Sequence, residues 1–116
     1  MSIREVVYGT LALAAAAVGW HHNLEYLQQP DAGWIDWIRQ CLVNPATRSA
    51  LADLSFAYLI INLWMVIEAQ RLSMRWAWIF VPITVFVSLG FGVGLFLLFR
   101  ERRLREPAIA NPLSAA

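Results

Sequence analysis

The segment from Trp76 to Phe99 contains no charged residue, and this run constrains the fold more than any other feature. A helix needs about 20 mostly apolar residues to cross the hydrocarbon core of a membrane. Pro82 lies near the start of the segment, where a missing backbone donor is best tolerated. The chain is 59% hydrophobic and 15% charged over 116 residues. A globule this small cannot bury so much apolar surface, and we therefore expect the segment to span a lipid bilayer.

Two further stretches predict membrane-spanning helices. Val6–Trp20 is uncharged and is expected to continue as a helix to about Gln28. The other stretch runs from about Ala46 to Ala69. Asn44 precedes it as a preferred N-cap, and Pro45 suits the first helical position. The pattern predicts three transmembrane helices.

A short amphipathic helix is predicted between the first and second spans. The polar stretch before Trp34 is typical of a turn. From Trp34 to Val43, apolar residues recur at three- and four-residue steps, while Asp36 and Arg39 take the other face. This helix is too short to span and fits the membrane interface. The predicted fold class is all-α, with residues 1–106 as one transmembrane domain and residues 107–116 as a flexible tail.

The distribution of arginine predicts an orientation. With three spans, one side of the membrane would hold Arg4, Arg71 and Arg75, and the other would hold Arg39, Arg48, Arg100, Arg102, Arg103 and Arg105. Cytoplasmic loops carry the excess of positive charge. We therefore expect the N-terminus outside and the C-terminus in the cytoplasm.

Small residues predict where the helices approach each other. Gly90 and Gly94 are four residues apart in the third predicted span, and a stripe of small residues follows one face of the first: Gly9, Ala12, Ala16 and Gly19. Small side chains allow neighbouring backbones to come close. We expect Gly90 and Gly94 to pack against the first or second helix.

A polar cluster near the end of the first span supplies the candidate site. His21, His22, Asn23 and Glu25 lie there, and His21 and Glu25 are four residues apart on one helix face. Asp53 lies inside the second span, where an ion must find a partner; Arg48, His21, His22 and Asn23 are the expected partners. Together the cluster could hold a divalent metal, although no His-Glu-x-x-His motif is present. It could also act on a lipid, with His21 as base and Glu25 or Asp53 as acid. Alternatively, it only fixes helix packing and headgroup contacts.

The second span carries further candidates on one face. At 100° per residue, Asp53, Trp64 and Arg71 fall close to one line. Trp64 is a candidate ligand contact because the other tryptophans lie near predicted interfaces, where aromatic residues are common. Glu68 and Arg71, three residues apart, are expected to form a structural ion pair.

Other functional classes receive less support from the residues. A net charge of +1 and the lack of a basic, aromatic surface pattern argue against nucleic-acid binding. The single cysteine, Cys41, excludes an internal disulfide and a cysteine-based zinc site. Ala17 lies one turn before His21, a spacing that can admit a pigment or haem macrocycle, so the identity of any cofactor stays open.

Several segments resemble a known family. They are Trp20 with Asn23, Asn44-Pro45, Asp53, the run Glu-Ala-Gln-Arg-Leu-Ser-Met from Glu68 to Met74, and the run Leu-Leu-Phe-Arg-Glu-Arg-Arg-Leu from Leu97 to Leu104. Together they resemble the small bacterial membrane family catalogued as domain of unknown function 2834. The resemblance implies a three-helix inner-membrane protein and implies no activity.

The predicted function is therefore a non-catalytic binding or accessory subunit, either self-associated or attached to a larger membrane complex. The alternative is a membrane enzyme of cyclase or isomerase type, or a binder of an isoprenoid, lipid or pigment, that uses His21, Glu25 and Asp53. A transporter built from several protomers is a third possibility, but no Pro-Gln motif interrupts a span.

Overall fold

The computed structural model describes residues 1–106, and every regular element within them is helical. The elements are α1 (Ile3–Leu27), α2 (Trp34–Cys41), α3 (Pro45–Arg71), a 3₁₀ helix (Arg75–Ile79), α4 (Phe80–Phe86) and α5 (Leu89–Leu104). The predicted all-α class is confirmed. The predicted flexible tail, residues 107–116, lies outside the described residues.

The two long helices begin where the capping residues indicate. The Asn44 side chain accepts a 2.9 Å hydrogen bond from the Thr47 backbone N–H, and Pro45 takes the first helical position. In α1, the Ser2 hydroxyl accepts a 3.2 Å bond from the Glu5 backbone N–H. Both α1 and α3 are long and apolar enough to cross a membrane. At 1.5 Å per residue they are about 37 and 40 Å long.

The third predicted span is not one helix, and that part of the prediction is wrong. The chain turns back at Val87 and Ser88, so that α4 and α5 form an antiparallel helical hairpin. The Phe80 and Phe96 rings lie 5.7 Å apart in edge-to-face contact, and the Trp76 and Phe99 rings lie 5.2 Å apart. Residues near the two ends of the uncharged segment therefore face each other instead of lying on opposite sides of a bilayer.

Local chemistry explains the reversal. The Ser88 hydroxyl accepts a 3.0 Å hydrogen bond from the Phe91 backbone N–H and so begins α5 with an N-cap. A Cβ atom on Gly92 would lie 2.5 Å from Thr84 Cγ2. The two arms can approach this closely only because Gly92 has no side chain.

Helix α5 is packed between its partners. A Cβ atom on Gly94 would lie 2.7 Å from Ala12 Cβ, and one on Gly90 would lie 2.6 Å from Ala15 Cβ. The expected packing of Gly90 and Gly94 against the first helix is confirmed. On the other side, α3 contributes Met65 to a buried cluster that includes Phe80 and Phe96.

The hairpin brings most of the arginines to one end of the molecule, here called the arginine end. It holds Arg4, Arg71, Arg75, Arg100, Arg102, Arg103 and Arg105. Arg102 contacts Glu5, and the Arg103 Nε donates a 2.9 Å hydrogen bond to the Leu72 carbonyl. These contacts contradict the prediction that the N-terminus and Arg100–Arg105 lie on opposite sides of a membrane.

The opposite end, here called the loop end, is formed by the last turns of α1, the helix α2 and the first turns of α3. The hairpin does not reach it. The apolar part of α5, from Leu89 to Phe99, is about 16 Å long at 1.5 Å per residue, roughly half of the hydrocarbon thickness. An arm of this length is too short to cross a bilayer by itself. The position of α2 at a membrane interface stays a prediction.

Candidate functional site

The predicted polar cluster lies on the last turns of α1. The Glu25 Oε1 atom is 3.1 Å from His21 Nε2, and Oε2 is 3.3 Å from His22 Nδ1. The two imidazole rings are in edge-to-face contact at 5.3 Å. One carboxylate therefore holds both histidines, although all three side chains and Asn23 are exposed.

Asp53 does not join this cluster. Its side chain is exposed and makes no hydrogen bond or ion pair with any of residues 1–106. Asp53 precedes Tyr58 by five residues, which places it about 140° around the helix from the face that packs on the hairpin. The expectation that Asp53 turns inward to meet Arg48, His21, His22 or Asn23 is not met within this chain.

A cavity of about 300 Å³ opens at the loop end, between the last turns of α1, the helix α2 and the first turn of α3. It is lined by His22, Glu25, Tyr26, Gln29, Trp37, Gln40, Cys41 and Thr47. The Tyr26 hydroxyl is 2.7 Å from the Gly33 carbonyl oxygen, and Gln40 Nε2 donates to Gln29 and to Asp36 at 2.9 and 2.8 Å. These bonds fix the wall of the cavity. Within residues 1–106, no group of three His, Cys, Asp or Glu side chains has the geometry to hold a metal ion.

A second polar group surrounds the hairpin turn, and the sequence analysis missed it. Trp20 Nε1 donates a 2.8 Å hydrogen bond to the Val87 carbonyl, and the Tyr58 hydroxyl donates a 2.6 Å bond to the Thr84 carbonyl. The Thr84 hydroxyl is fully buried, 3.1 Å from Asn62 Oδ1 and 2.6 Å from the Val81 carbonyl oxygen. The backbone carbonyls of Thr84 and Val87 lie at the end of α4, where the helix supplies no further N–H donors. They therefore accept hydrogen bonds from Tyr58 of α3 and Trp20 of α1, as backbone groups away from water require.

Some sequence signals for this group existed. Thr84 and Ser88 are polar residues inside the longest uncharged run, and Asn62 is the polar residue that interrupts the apolar run of α3. Each is common in helices that do span membranes, because hydroxyl and amide groups can bond to their own helix backbone. The three residues indicate a polar layer only when α3 and the hairpin are known to lie side by side.

The arginine end holds two carboxylates between paired guanidinium groups. Glu68 accepts bonds of 2.8 and 2.7 Å from Arg71 and a 2.8 Å bond from Arg100. The predicted Glu68–Arg71 pair therefore forms, with Arg100 as an unpredicted second partner. Glu5, which is completely buried, lies against Arg102 at 3.5 Å and against Arg105. Buried carboxylates with two partners each pin α1, α3 and α5 together.

Trp64 lies close to the Glu68 pair and away from the histidine cluster. Its ring is in edge-to-face contact with Phe96 at 5.5 Å, and the Arg100 guanidinium carbon is 5.9 Å from the ring centre. The distance permits a cation–π interaction. The structure therefore places Trp64 in the packing of α3 on α5 and not beside His21 or Glu25.

Comparisons with known proteins give one match. Residues 7–102 match the family described as "Protein of unknown function DUF2834". The match covers most of the chain and agrees with the resemblance seen in the sequence. No curated protein and no solved structure matches the chain.

Proposed function

The chain belongs to the DUF2834 family of proteins of unknown function, and we propose that it is an integral protein of a bacterial inner membrane that serves as a non-catalytic subunit of a membrane assembly. In this arrangement α1 and α3 span the bilayer. The α4–α5 hairpin enters from the arginine end and returns to it, so that Met1 and Glu106 both face the cytoplasm.

The charge distribution supports this orientation. The arginine end carries seven arginines and four glutamates, a net charge of +3. The loop end carries Arg39 and Arg48 against four acidic residues, Glu25, Asp31, Asp36 and Asp53, a net charge of −2 with neutral histidines. Cytoplasmic segments carry the excess of Arg and Lys, to which acidic residues contribute little, so the end with seven of the nine arginines belongs in the cytoplasm. The reversal of the hairpin therefore replaces the orientation predicted from three spans.

The contacts that polar side chains make in the membrane region support the non-catalytic role. Trp20, Tyr58 and Asn62 bind the hairpin, and Glu5 and Glu68 bind arginines. These groups hold helices together. The outer face of α1 stays apolar and exposed, with Leu11 at 61% and Leu13 at 67%. Such faces suit contact with other membrane helices.

The test is the composition of the particle extracted from native membranes with a styrene–maleic acid copolymer. We expect this chain together with a second membrane protein at a fixed ratio, and the ratio should persist on repeated purification. A particle that contains only copies of this chain and lipid would contradict the role of a subunit in a larger assembly.

The loop-end cavity favours a second candidate, a binding site for the polar part of a lipid, isoprenoid or pigment. Its volume of about 300 Å³ is at the lower end of ligand pockets. His22, Glu25 and Trp37 supply charge, hydrogen bonds and an aromatic surface. Mass spectrometry of the extracted protein should then find one compound at a fixed ratio, and Glu25→Gln should release it while Asp31→Asn does not. Equal ligand content in both variants would contradict this candidate.

A further inference from the structure

The unpaired charges on α3 point to a second copy of this chain. We propose that the protein forms a parallel two-fold dimer through the outer face of α3, in which Arg48 of each protomer pairs with Asp53 of the other. This inference does not rest on the role as a subunit of a larger assembly, but it does rest on the proposed arrangement in which α3 spans the bilayer.

The first step is the cost of leaving Asp53 alone. At 1.5 Å per residue, Asp53 lies about 22 Å along α3 from Glu68 at the arginine end, inside a hydrocarbon core of about 30 Å. A charged side chain inside the hydrocarbon is unfavourable, and such residues are almost always paired. Neither Asp53 nor Arg48 has a hydrogen bond or ion pair within residues 1–106.

The second step is that Arg48 and Asp53 cannot satisfy each other within one helix. They are five residues apart, so that their side chains point about 140° away from each other. Pairs on one helix need a spacing of three or four residues. The countercharge for Asp53 must therefore come from another molecule or from a distant part of the chain.

The third step is the pattern of small and apolar residues that follows the same face of α3 as the two charges. In a heptad frame that places Arg48 at g and Asp53 at e, the seam positions a and d hold Ser49, Ala52, Phe56, Leu59, Leu63 and Val66. Phe56, Leu59 and Leu63 are between 62% and 69% exposed. Ser49 and Ala52 are small and lie beside the charges, where they allow close approach of two helices.

The fourth step is that this seam faces away from the hairpin. Tyr58 and Met65, which contact the hairpin, each follow a seam residue by two positions, about 200° around the helix. The seam can therefore bind a partner without disturbing the protomer. All copies insert into the membrane in one orientation, so two α3 helices that meet across a two-fold axis are parallel.

Parallel packing supplies the ion pair. In a parallel pair of helices, a g residue of one helix faces the e residue of the next heptad of the other, and these positions choose the partner. Arg48 at g and Asp53 five residues later at e meet this requirement twice, once on each side of the seam. The two contacts pair Arg48 and Asp53 of both protomers, which makes four charges in the dimer.

The test is a charge exchange. For the wild-type chain produced alone and kept in mild detergent, light scattering coupled to gel filtration should give a protein mass of twice 13.2 kDa. Asp53→Arg and Arg48→Asp should each weaken the dimer at least about tenfold, which is roughly 1.4 kcal/mol. The double variant, Arg48→Asp with Asp53→Arg, should restore the dimer because the pairs form again with their signs exchanged. A monomeric wild type, or a double variant no better than the single ones, would overturn the proposal.

A cross-linking measurement in native membranes makes the test independent of detergent. In a Cys41→Ser background, Phe56→Cys on the seam should form a disulfide dimer on mild oxidation. Ile61→Cys, on the face that packs against the hairpin, is the matched control and should stay monomeric. Equal cross-linking at the two positions, or none at Phe56→Cys, would overturn the interface. Either result would leave the subunit proposal to its own test.

Discussion

Trp20 in α1 and Val87 at the hairpin turn are joined by a 2.8 Å hydrogen bond from the indole Nε1 to the backbone carbonyl oxygen. The two residues are 67 positions apart in the chain. Val87 ends α4, so its carbonyl has no donor in the next helical turn. In a bilayer, backbone polar groups must be satisfied by the protein itself, and α1 supplies the donor that makes this turn possible.

The first prediction concerns that donor. Trp20→Phe keeps an aromatic ring and removes the N–H, so the Val87 carbonyl is left without its partner. We expect the free energy of unfolding to fall by about 1–3 kcal/mol, measured by SDS titration in mixed micelles. Trp34→Phe is the control, because Trp34 is 70% exposed and should change the value by less than about 0.5 kcal/mol. Equal losses in the two variants would contradict the role of the indole.

The second prediction concerns the contact between α1 and α5. Gly94→Ala places a Cβ atom 2.7 Å from Ala12 Cβ and 3.0 Å from the Tyr8 carbonyl oxygen. Overpacking of this kind costs about 1–3 kcal/mol, and we expect a lower melting temperature. Gly19→Ala is the matched control, because its Cβ would lie 3.8 Å from Ser88 Cβ, and alanine favours a helix. A Gly94→Ala variant as stable as Gly19→Ala would show that α1 and α5 are not this close.

The third prediction concerns the carboxylate that joins α3 and α5. Glu68→Gln removes the charge that Arg71 and Arg100 share, and it leaves the partly buried Arg100 without a counterion. Breaking such a buried pair costs about 3–5 kcal/mol, again measured by SDS titration. Glu106→Gln breaks the exposed pair with Arg103 and should cost less than about 1 kcal/mol. A loss at Glu68 no larger than at Glu106 would argue against its structural role.

The fourth prediction concerns orientation. In a Cys41→Ser background, Asp31→Cys at the loop end should react with a membrane-impermeant maleimide in cells whose outer membrane is permeabilised. Arg75→Cys and Glu106→Cys should react only after the inner membrane is broken, because both lie at the arginine end. Opposite labelling of Arg75→Cys and Glu106→Cys would restore a third crossing of the bilayer and contradict the hairpin.

The parts of the fold that depend on neighbouring residues could be predicted. Asn44 and Pro45 mark the start of α3 because capping acts within one turn, and Glu68 finds Arg71 because three residues bring side chains to one helix face. Gly90 and Gly94 also indicated the correct contact. For the cap and the ion pair, the signal and its effect lie on the same helix.

The hairpin could not be predicted, because its causes lie on other helices. An uncharged run from Trp76 to Phe99 satisfies the length of one span as well as that of two short arms. The reversal depends on donors from Trp20 and Tyr58, which are distant in the chain. Asp53 is apart from the histidine cluster for the same reason: it approaches Glu25 only if α1 and α3 turn those residues toward each other, and the hairpin fixes α3 in a different rotation.

In the proposed membrane arrangement, the α4–α5 hairpin also gives the molecule an unequal cross-section. Four helical segments share the half of the bilayer next to the arginine end, whereas two helices continue through the other half. Each helix is about 10 Å wide, so the protein displaces roughly twice as much lipid area from one leaflet as from the other. A bilayer that accommodates many copies expands more on the arginine side, and it relieves this asymmetry by bending with that side convex.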